Sequence, residues 1–239
     1  MANLRLDKFI SNQKNLPRKD SRKLIMCGKV TIDGQVVRIA DTKVDPDRNV
    51  ISLLGEEVGY KEHIYLMMNK PEGLVCASND KNHKTVIDII PENLKRKNLF
   101  TVGRLDKNTT GLLLITDDGD FAHKVISPKS ETIKKYKVWL DGEVTNEMVD
   151  KFSEGITLAD GTRCLPAKLE LTDEPNVAFV YITEGKYHQV KRMFGIVDLG
   201  VDKLKRESIG GLVLDPYLSV GECRELNEDE FNQILKDFE

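Results

Sequence analysis

Beyond residue 60, the apolar positions occur in short runs typical of buried strands and in stripes typical of helices. Strands are predicted at residues 64–68, 99–102, 112–116, 133–140, 164–171, 177–183 and 211–214. Helices are predicted at residues 85–90, 118–126, 145–154, 187–197 and 227–237. The strands come in successive groups, with few alternating strand–helix–strand units. This pattern favours an α+β fold, with a large, mostly antiparallel mixed sheet flanked by helices.

The N-terminal part of the chain has a separate pattern that predicts a small module. Two short helices, a hairpin and a third strand are predicted at residues 7–10, 21–26, 29–37 and 50–53. Asp33 and Gly34 form a dipeptide that is typical of a tight hairpin turn. Residues 55–62 are polar and contain two glycines, as a linker does. We therefore expect one domain at residues 1–59 and a second at residues 60–239.

The composition is that of an ordinary globular protein, with 40% hydrophobic and 31% charged residues in a chain of 239. The sequence has no run of about 18 apolar residues, so we expect no membrane span. Its first residues do not resemble a signal peptide. The four cysteines lie far apart, at Cys27, Cys76, Cys164 and Cys223. This spacing favours reduced thiols in a cytoplasmic protein over a disulfide framework or a zinc site.

Basic residues are concentrated at the N-terminus, although the net charge of the whole chain is −3. Residues 1–38 contain nine Lys or Arg and three Asp, a balance of +6, which leaves −9 for the remaining 201 residues. A basic segment joined to an acidic body is typical of an RNA-binding arm on an enzyme. From charge alone, a solvated lysine-rich surface is an equally good interpretation.

A polar loop at residues 103–111 carries the first candidate for chemistry. It places Asp106, with Arg104 nearby, between apolar runs that are predicted to be strands. A lone carboxylate between two buried strands is costly unless its charge is paired or used. Taken alone, Asp106 could simply cap the loop. The acidic run at residues 117–120 lacks the later ligands of a calcium loop and fits a helix N-cap instead.

The run at residues 184–194 combines an apolar helical stripe with several cations. The stripe consists of Val190, Met193, Phe194 and Val197 and is typical of a core-facing helix. On a helical wheel of about 100° per residue, His188 and Arg192 lie opposite this stripe and Lys191 lies at its border. We therefore expect Lys191 to reach inward to a buried carboxylate, and Arg192 to point toward solvent or RNA.

Together, these motifs resemble the RsuA branch of the pseudouridine synthases. The resemblance is carried by residues 103–119, by Lys134 and Tyr136 in a Lys-x-Tyr motif, by residues 184–194 and by residues 209–212. In the N-terminal module, residues 5–8, 21–22 and 28–34 are similar to an S4 domain, a small RNA-binding fold. The resemblance implies an S4 domain followed by a pseudouridine-synthase catalytic domain.

The resemblance also implies roles for individual residues. Asp106 would be the catalytic carboxylate, Tyr136 would stack on the flipped uracil, and Lys191 would pair with Asp106 where many relatives have Arg. Without the resemblance, Tyr136 would be read as a packing residue of a strand. No cofactor and no metal are implied. Together with the charge pattern, the resemblance places RNA contacts at Arg5, Lys8, Lys19, Arg22, Lys23, Lys29, Arg104, Lys134, Lys135, His188, Gln189 and Arg192.

We therefore expect a cytoplasmic, monomeric enzyme that converts one uridine of ribosomal RNA to pseudouridine. Residues 184–194 favour small-subunit RNA, because sister enzymes acting on large-subunit RNA tend to have an Arg-rich version of this segment. The substrate would be ribosomal RNA or a small-subunit assembly intermediate. One alternative is such a large-subunit enzyme. The other is a non-catalytic S4-type RNA-binding or ribosome-assembly factor, which the intact set of Asp106, Tyr136 and Lys191 disfavours.

Overall fold

The computed structural model describes residues 3–236. The chain divides into two compact units, one formed by Met1–Ile64 with Pro91–Leu99 and the other by Tyr65–Ile90 with Phe100–Glu239. This division differs from the expected boundary between residues 59 and 60, because a later segment returns to the first unit. Within that segment, Arg96 donates a hydrogen bond to the Lys61 carbonyl at 2.9 Å, and Lys97 donates to the Leu16 carbonyl at 2.8 Å. The segment forms turns, so its apolar pattern gave no signal of this return.

From residue 3 onward, the first unit contains two helices and six short strands. They are β1 (Leu4–Arg5), α1 (Leu6–Gln13), α2 (Arg18–Met26), β2 (Val30–Ile32), β3 (Gln35–Val37), β4 (Lys43–Val44), β5 (Ile51–Leu53) and β6 (Glu56–Glu57). Strands β3, β2, β5 and β6 form one sheet in that order, and β1 pairs with β4. The predicted hairpin is confirmed: Asp33 and Gly34 both have a positive φ, 51° and 80°, as its tight turn requires. Leu6, Phe9 and Ile10 of α1 pack in the core with Ile25 of α2.

Up to residue 236, the second unit contains nine strands and four helices. They are β7 (Tyr65–Lys70), β8 (Phe100–Thr101), β9 (Thr109–Thr116), α3 (Gly119–Ile126), β10 (Lys134–Leu140), α4 (Asn146–Glu154), β11 (Lys168–Leu171), β12 (Val177–Ile182), α5 (Gln189–Ile196), β13 (Val201–Ile209), β14 (Leu212–Val213), β15 (Cys223–Glu225) and α6 (Glu228–Gln233). Short 3-10 turns occur at Ile87–Ile89 and Pro128–Ser130.

These nine strands form one mixed sheet in the order β11-β12-β10-β13-β9-β7-β15, with β14 paired to β13 and β8 paired to β9. Strand β9 runs parallel to β13, and the other described pairings are antiparallel. The predicted α+β fold is therefore confirmed. Gly111, with a φ of 96°, allows the close approach of β9 and β13, since a Cβ there would lie 2.2 Å from the Arg206 carbonyl oxygen.

The strands predicted for the second unit all overlap observed ones, but β13 and β15 of that unit were not predicted, and neither were β1, β4 and β6 of the first unit. Strand β13 carries mostly charged residues, so it shows little apolar alternation although it lies in the middle of the sheet. The predicted helix at residues 85–90 is only the 3-10 turn, and residue 237 of the last predicted helix lies outside the described residues. The N-cap expected within residues 117–120 is present, since Asp118 accepts from Phe121 N at 3.0 Å, and Asn227 forms a capping box at the start of α6. Within residues 3–236, no helix has both the length and the apolar character to cross a membrane.

Candidate active site

Asp106 lies where the sequence predicted it, in the loop between β8 and β9. The wholly buried Lys70 binds this loop through its ammonium group. The ammonium donates to the carbonyls of Lys107 and Thr109 at 3.2 and 3.0 Å, and to that of Pro71 at 3.0 Å. Burial lowers the pKa of Lys70, and the negative charge of Asp106 opposes this effect. The C-terminal end of the loop that carries the candidate carboxylate is therefore held by Lys70.

The Asp106 carboxylate faces His188, with 3.5 Å between Oδ1 and Nε2. The two side chains are 30% and 40% exposed, so both remain open to a ligand. His188 has a φ of 49° and directly precedes α5. The wheel drawn from residue 187 therefore does not apply to His188. Its side chain faces Asp106, and its ring stacks on that of Tyr187, with 3.8 Å between the centroids.

Lys191 does not pair with Asp106 in this structure, contrary to the expectation from the wheel and the resemblance. It is half-buried on α5. Among the ion pairs of residues 3–236, Asp106 is joined to His188 and not to Lys191. Arg192 points away from the site, as expected, but its guanidinium is bound to Asp160. Helix α5 begins at Gln189, two residues later than predicted, so His188 precedes the helix and its side chain contacts Asp106.

Tyr136 is buried on the inner face of β10, next to a cation that the sequence analysis missed. Arg206 of β13 is only 3% exposed, and its Nη1 donates to the Tyr136 hydroxyl at 3.4 Å. Its Nε donates to the Leu112 carbonyl at 2.8 Å, whereas Nη2 is buried without a hydrogen-bond partner. Sequence reasoning missed Arg206 because it missed β13. The available signal for the strand was that Leu204, Arg206 and Ser208 occupy every second position, and all three are buried.

Lys134 is also buried on this inner face, so it is not the exposed RNA contact that its motif suggested. Its ammonium donates to the carbonyls of Thr132 and Thr183 at 2.8 and 3.0 Å. Burial, with a smaller effect of the Arg206 charge, lowers the pKa of Lys134 to about 8. Two buried cations therefore lie beside Tyr136.

These side chains surround one cavity of about 610 Å³. Its lining includes Asp106, Tyr136, His188, Arg206, Lys134 and Arg104. The volume is within the range of pockets that hold small ligands. The cavity thus combines an accessible carboxylate, an imidazole, a phenol and buried cations. Within residues 3–236, no cluster of three His, Cys, Asp or Glu side chains is arranged as metal ligands would be.

Gln189, expected to contact RNA, supports the cavity wall instead. Its buried amide donates to Glu184 at 2.8 Å and accepts from the Lys186 backbone N–H at 2.9 Å. Burial would raise the pKa of Glu184, but hydrogen bonds from Lys186, the Leu165 N–H and Gln189 hold this pKa below its usual value. Arg104 is exposed, and Lys135 is half-buried on the opposite face of β10.

In the first unit, the basic residues form two groups. Arg5, Arg22 and the unpredicted Arg18 bind one buried carboxylate, Asp7, at 3.1, 2.8 and 2.9 Å. Burial alone would raise the pKa of Asp7, but the three guanidinium groups hold this pKa well below its usual range. The lysines expected to contact RNA are exposed: Lys8, Lys19, Lys23 and Lys29.

Comparison with known proteins gives two family matches. Residues 64–195 match the RNA pseudouridylate synthase family, and residues 4–50 match the S4 domain. The RNA pseudouridine synthase YtzG of Bacillus subtilis (strain 168) is 42% identical over 97% of this chain and 98% of its own. The ribosomal small subunit pseudouridine synthase A of Escherichia coli (strain K12) is 40% identical over 97% of this chain and 100% of its own. A crystal structure of a pseudouridylate synthase is similar with a TM-score of 0.68 and 37% identity, over 97% and 99% of the two chains.

Proposed function

The chain belongs to the RNA pseudouridylate synthase family, and we propose that its substrate is a uridine of small-subunit ribosomal RNA. The observation that carries the proposal is the 40% identity, over 97% of the chain, with a relative named ribosomal small subunit pseudouridine synthase A. The expected S4 domain, matched at residues 4–50, supports RNA as the substrate class. We further propose that the protein works as a cytoplasmic monomer, on free ribosomal RNA or on a small-subunit assembly intermediate.

The reaction breaks the bond between C1′ and N1 of a uridine and joins C1′ to C5 of the same uracil. N1 gains a proton and C5 loses one, so no oxidant or reductant is consumed. The nucleotide must leave its stack to reach the enzyme. We assign Asp106 as the carboxylate that acts on this nucleotide, as nucleophile or as acid–base group. Its 30% exposure at the cavity supports this role.

The inner wall of the cavity suits the freed uracil. We assign the ring of Tyr136 as the stacking surface for the base, as the family resemblance implies. Arg206 would then donate from Nη2 to a uracil carbonyl oxygen. A buried donor without a partner costs about 1–3 kcal/mol, so an acceptor brought by the substrate would recover free energy at this position.

We retain Lys191 as the partner of Asp106 in the RNA-bound enzyme. His188 holds the carboxylate in the structure without RNA, but it is 40% exposed and accessible to a phosphate or a base. Lys191 adjoins Val190, which lines a smaller pocket that also contains Asp106, Tyr136 and His188. When RNA binds the side chain of His188, a neighbouring cation would be needed to keep the charge of Asp106 paired.

We propose that the domain at residues 1–59 binds the RNA backbone and that the domain at residues 60–239 performs the reaction. The side chains of Arg5, Arg18 and Arg22 are 38%, 49% and 50% exposed. Asp7 fixes them while leaving donors free for phosphates, which are the usual positioning contacts of RNA-binding proteins. Exposed Lys8, Lys19, Lys23 and Lys29 would add sequence-independent affinity.

Mapping pseudouridines in ribosomal RNA from cells with and without the protein tests the proposal. We expect one position of the small-subunit RNA to lose its pseudouridine and to regain it with the wild-type gene, but not with Asp106→Asn. Loss of a position in large-subunit RNA would contradict the proposed substrate and leave the family assignment intact. No lost position in either RNA would contradict both parts of the proposal. Gel filtration tests the monomer, and naked RNA compared with partly assembled subunits tests the preferred substrate form.

A further inference from the structure

Strands β10, β12 and β13 have a second face, on the side of the sheet opposite the cavity. Because side chains alternate along a strand, Tyr136 points to the cavity and its neighbours Lys135 and Lys137 point away. The alternate positions of these strands form a surface that we call the lysine–aromatic face: Lys135, Lys137, Trp139, Phe179, Tyr181 and Lys205. All six side chains are partly exposed, whereas Val138, Val180 and Leu204 on the inner face are buried. Water therefore reaches this face.

The strand register interleaves cations and rings on the lysine–aromatic face. Lys135 lies opposite Tyr181, and Lys137 lies opposite Phe179. The Lys135 ammonium is 4.0 Å from the centroid of the Phe179 ring, and that of Lys137 is 5.0 Å from the Trp139 ring. An antiparallel sheet often exposes one polar face to water. Three aromatic rings placed between lysines differ from such a face, because they offer flat apolar surfaces beside positive charges.

The charges on this side of the sheet are poorly neutralised. Lys137 lies directly opposite Lys205, and like charges in this position are destabilising. Exposed Lys168 and Lys203 extend the positive surface at its edges. Two carboxylates are present: Glu170 binds Lys168 at 2.9 Å, and Glu207 lies 3.9 Å from Lys135. Five lysines against two glutamates leave a charge of +3, although residues 39–239 together carry −9.

We propose that the lysine–aromatic face binds a single-stranded segment of the RNA substrate, distant from the uridine that enters the cavity. This inference rests on the proposed function for the identity of the RNA. Sheet-borne aromatic rings stack on unpaired bases, and neighbouring cations contact their phosphates. The segment relieves the repulsion between Lys137 and Lys205 by placing a phosphate between them. Because the face lies on the other side of the sheet from Asp106, one RNA must be long enough to reach both.

The chain contains a single tryptophan, Trp139, which makes binding to this face directly observable. The probe is a single-stranded RNA without uridine, such as oligoadenylate, added to the full-length protein. We expect it to quench the fluorescence of Trp139 in a saturable manner. The double variant Lys137→Gln/Lys205→Gln removes two phosphate contacts. Raising the salt from about 50 to about 200 mM should then weaken wild-type binding about sevenfold more than it weakens binding of the variant.

A matched control is Lys151→Gln/Lys236→Gln, which removes two exposed lysines away from this face and should bind like the wild type. Asp106→Asn should also retain the full response, so the result is independent of catalysis. An unchanged Trp139 signal, or equal salt dependence in the Lys137→Gln/Lys205→Gln variant, would overturn the proposal. Quenching by anionic lipid vesicles but not by RNA would overturn it as well. Quenching by RNA without any pseudouridine formation in ribosomal RNA would remove the proposed function and leave the binding face.

Discussion

Replacing Arg206 with methionine is expected to impair the reaction and the fold by separately measurable amounts. The substitution keeps the apolar stem in the sheet but removes the guanidinium of a residue that is only 3% exposed. The Leu112 carbonyl, bound by Nε at 2.8 Å, loses its partner inside the core. Leaving one buried acceptor unsatisfied costs about 1–3 kcal/mol, so the free energy of unfolding should fall by at most about that amount, because the unpartnered Nη2 is removed with the same side chain.

The effect on rate follows from the unpartnered Nη2 of Arg206. If this donor binds a uracil carbonyl, its loss removes a hydrogen bond from a charged group, worth about 1.5–3 kcal/mol. That corresponds to a decrease of about 10- to 150-fold in the single-turnover rate at saturating RNA. RNA affinity should stay nearly constant, because the buried guanidinium contributes little to the contact with phosphates. The pKa of Lys134, now about 8, should rise because a neighbouring positive charge is gone, while burial continues to lower it.

The assay combines single-turnover conversion of a ribosomal RNA transcript with urea unfolding of the same protein. Arg192→Met is the control, since this arginine is bound to Asp160 outside the cavity lining. It should leave the rate at saturating RNA unchanged. If Arg206→Met retained a rate within about threefold of the wild type while folding normally, Arg206 would not bind the uracil. A loss of RNA affinity with an unchanged rate would instead make Arg206 a backbone contact.

Three further outcomes are expected. Asp106→Asn should abolish conversion but keep RNA binding, as a gel-shift assay beside a pseudouridine assay would show; measurable turnover by this variant would remove Asp106 from the chemistry. Lys191→Met should lower the single-turnover rate at least tenfold, whereas His188→Gln should mainly weaken RNA binding. If His188→Gln lowered the rate and Lys191→Met only weakened binding, His188 would be the functional partner of Asp106. Asp7→Asn should lower the stability of the first unit by about 2 kcal/mol near neutral pH, below the 3–5 kcal/mol of a wholly buried pair because its arginines are half-exposed. Since the folded pKa of Asp7 lies below its unfolded value of about 3.9, the stabilisation is present above that pH and is lost as the pH falls toward the folded pKa. If the difference in free energy of unfolding between wild type and variant stayed constant down to pH 2, this linkage would be contradicted.

The sequence was most informative where local pattern and chemistry coincide. The loop that carries Asp106 was predicted because two apolar strands flank a polar motif, and both strands are present. The S4-like hairpin was predicted because an Asp-Gly turn leaves few alternatives. Tyr136 could be assigned to the site by resemblance alone, since a tyrosine in a strand carries no functional signal of its own.

The parts that could not be predicted depend on long-range contacts. Strand β13 is mostly charged because one face is open to water and Arg206 is buried on the other, so its apolar signal was weak. The contact of His188 with Asp106 in the structure without RNA was not predicted, because the start of α5 depends on the positive φ of His188, which a helical wheel does not anticipate. Lys134 was read as a surface cation, although its buried ammonium is bound by two carbonyl groups from separate parts of the chain.

The parallel pairing of β9 with β13 also determines when the site can form during synthesis. Residues paired in this way, such as Gly111 and Arg206, are 95 positions apart in sequence. A ribosome releases the chain from its N-terminus, so the Asp106 loop emerges well before Arg206 does. Until β13 has emerged, a nascent chain has Asp106 and Tyr136 but lacks the strand that joins their two parts of the sheet. The RNA-binding module at the N-terminus can therefore fold and bind RNA before the enzyme is able to modify that RNA.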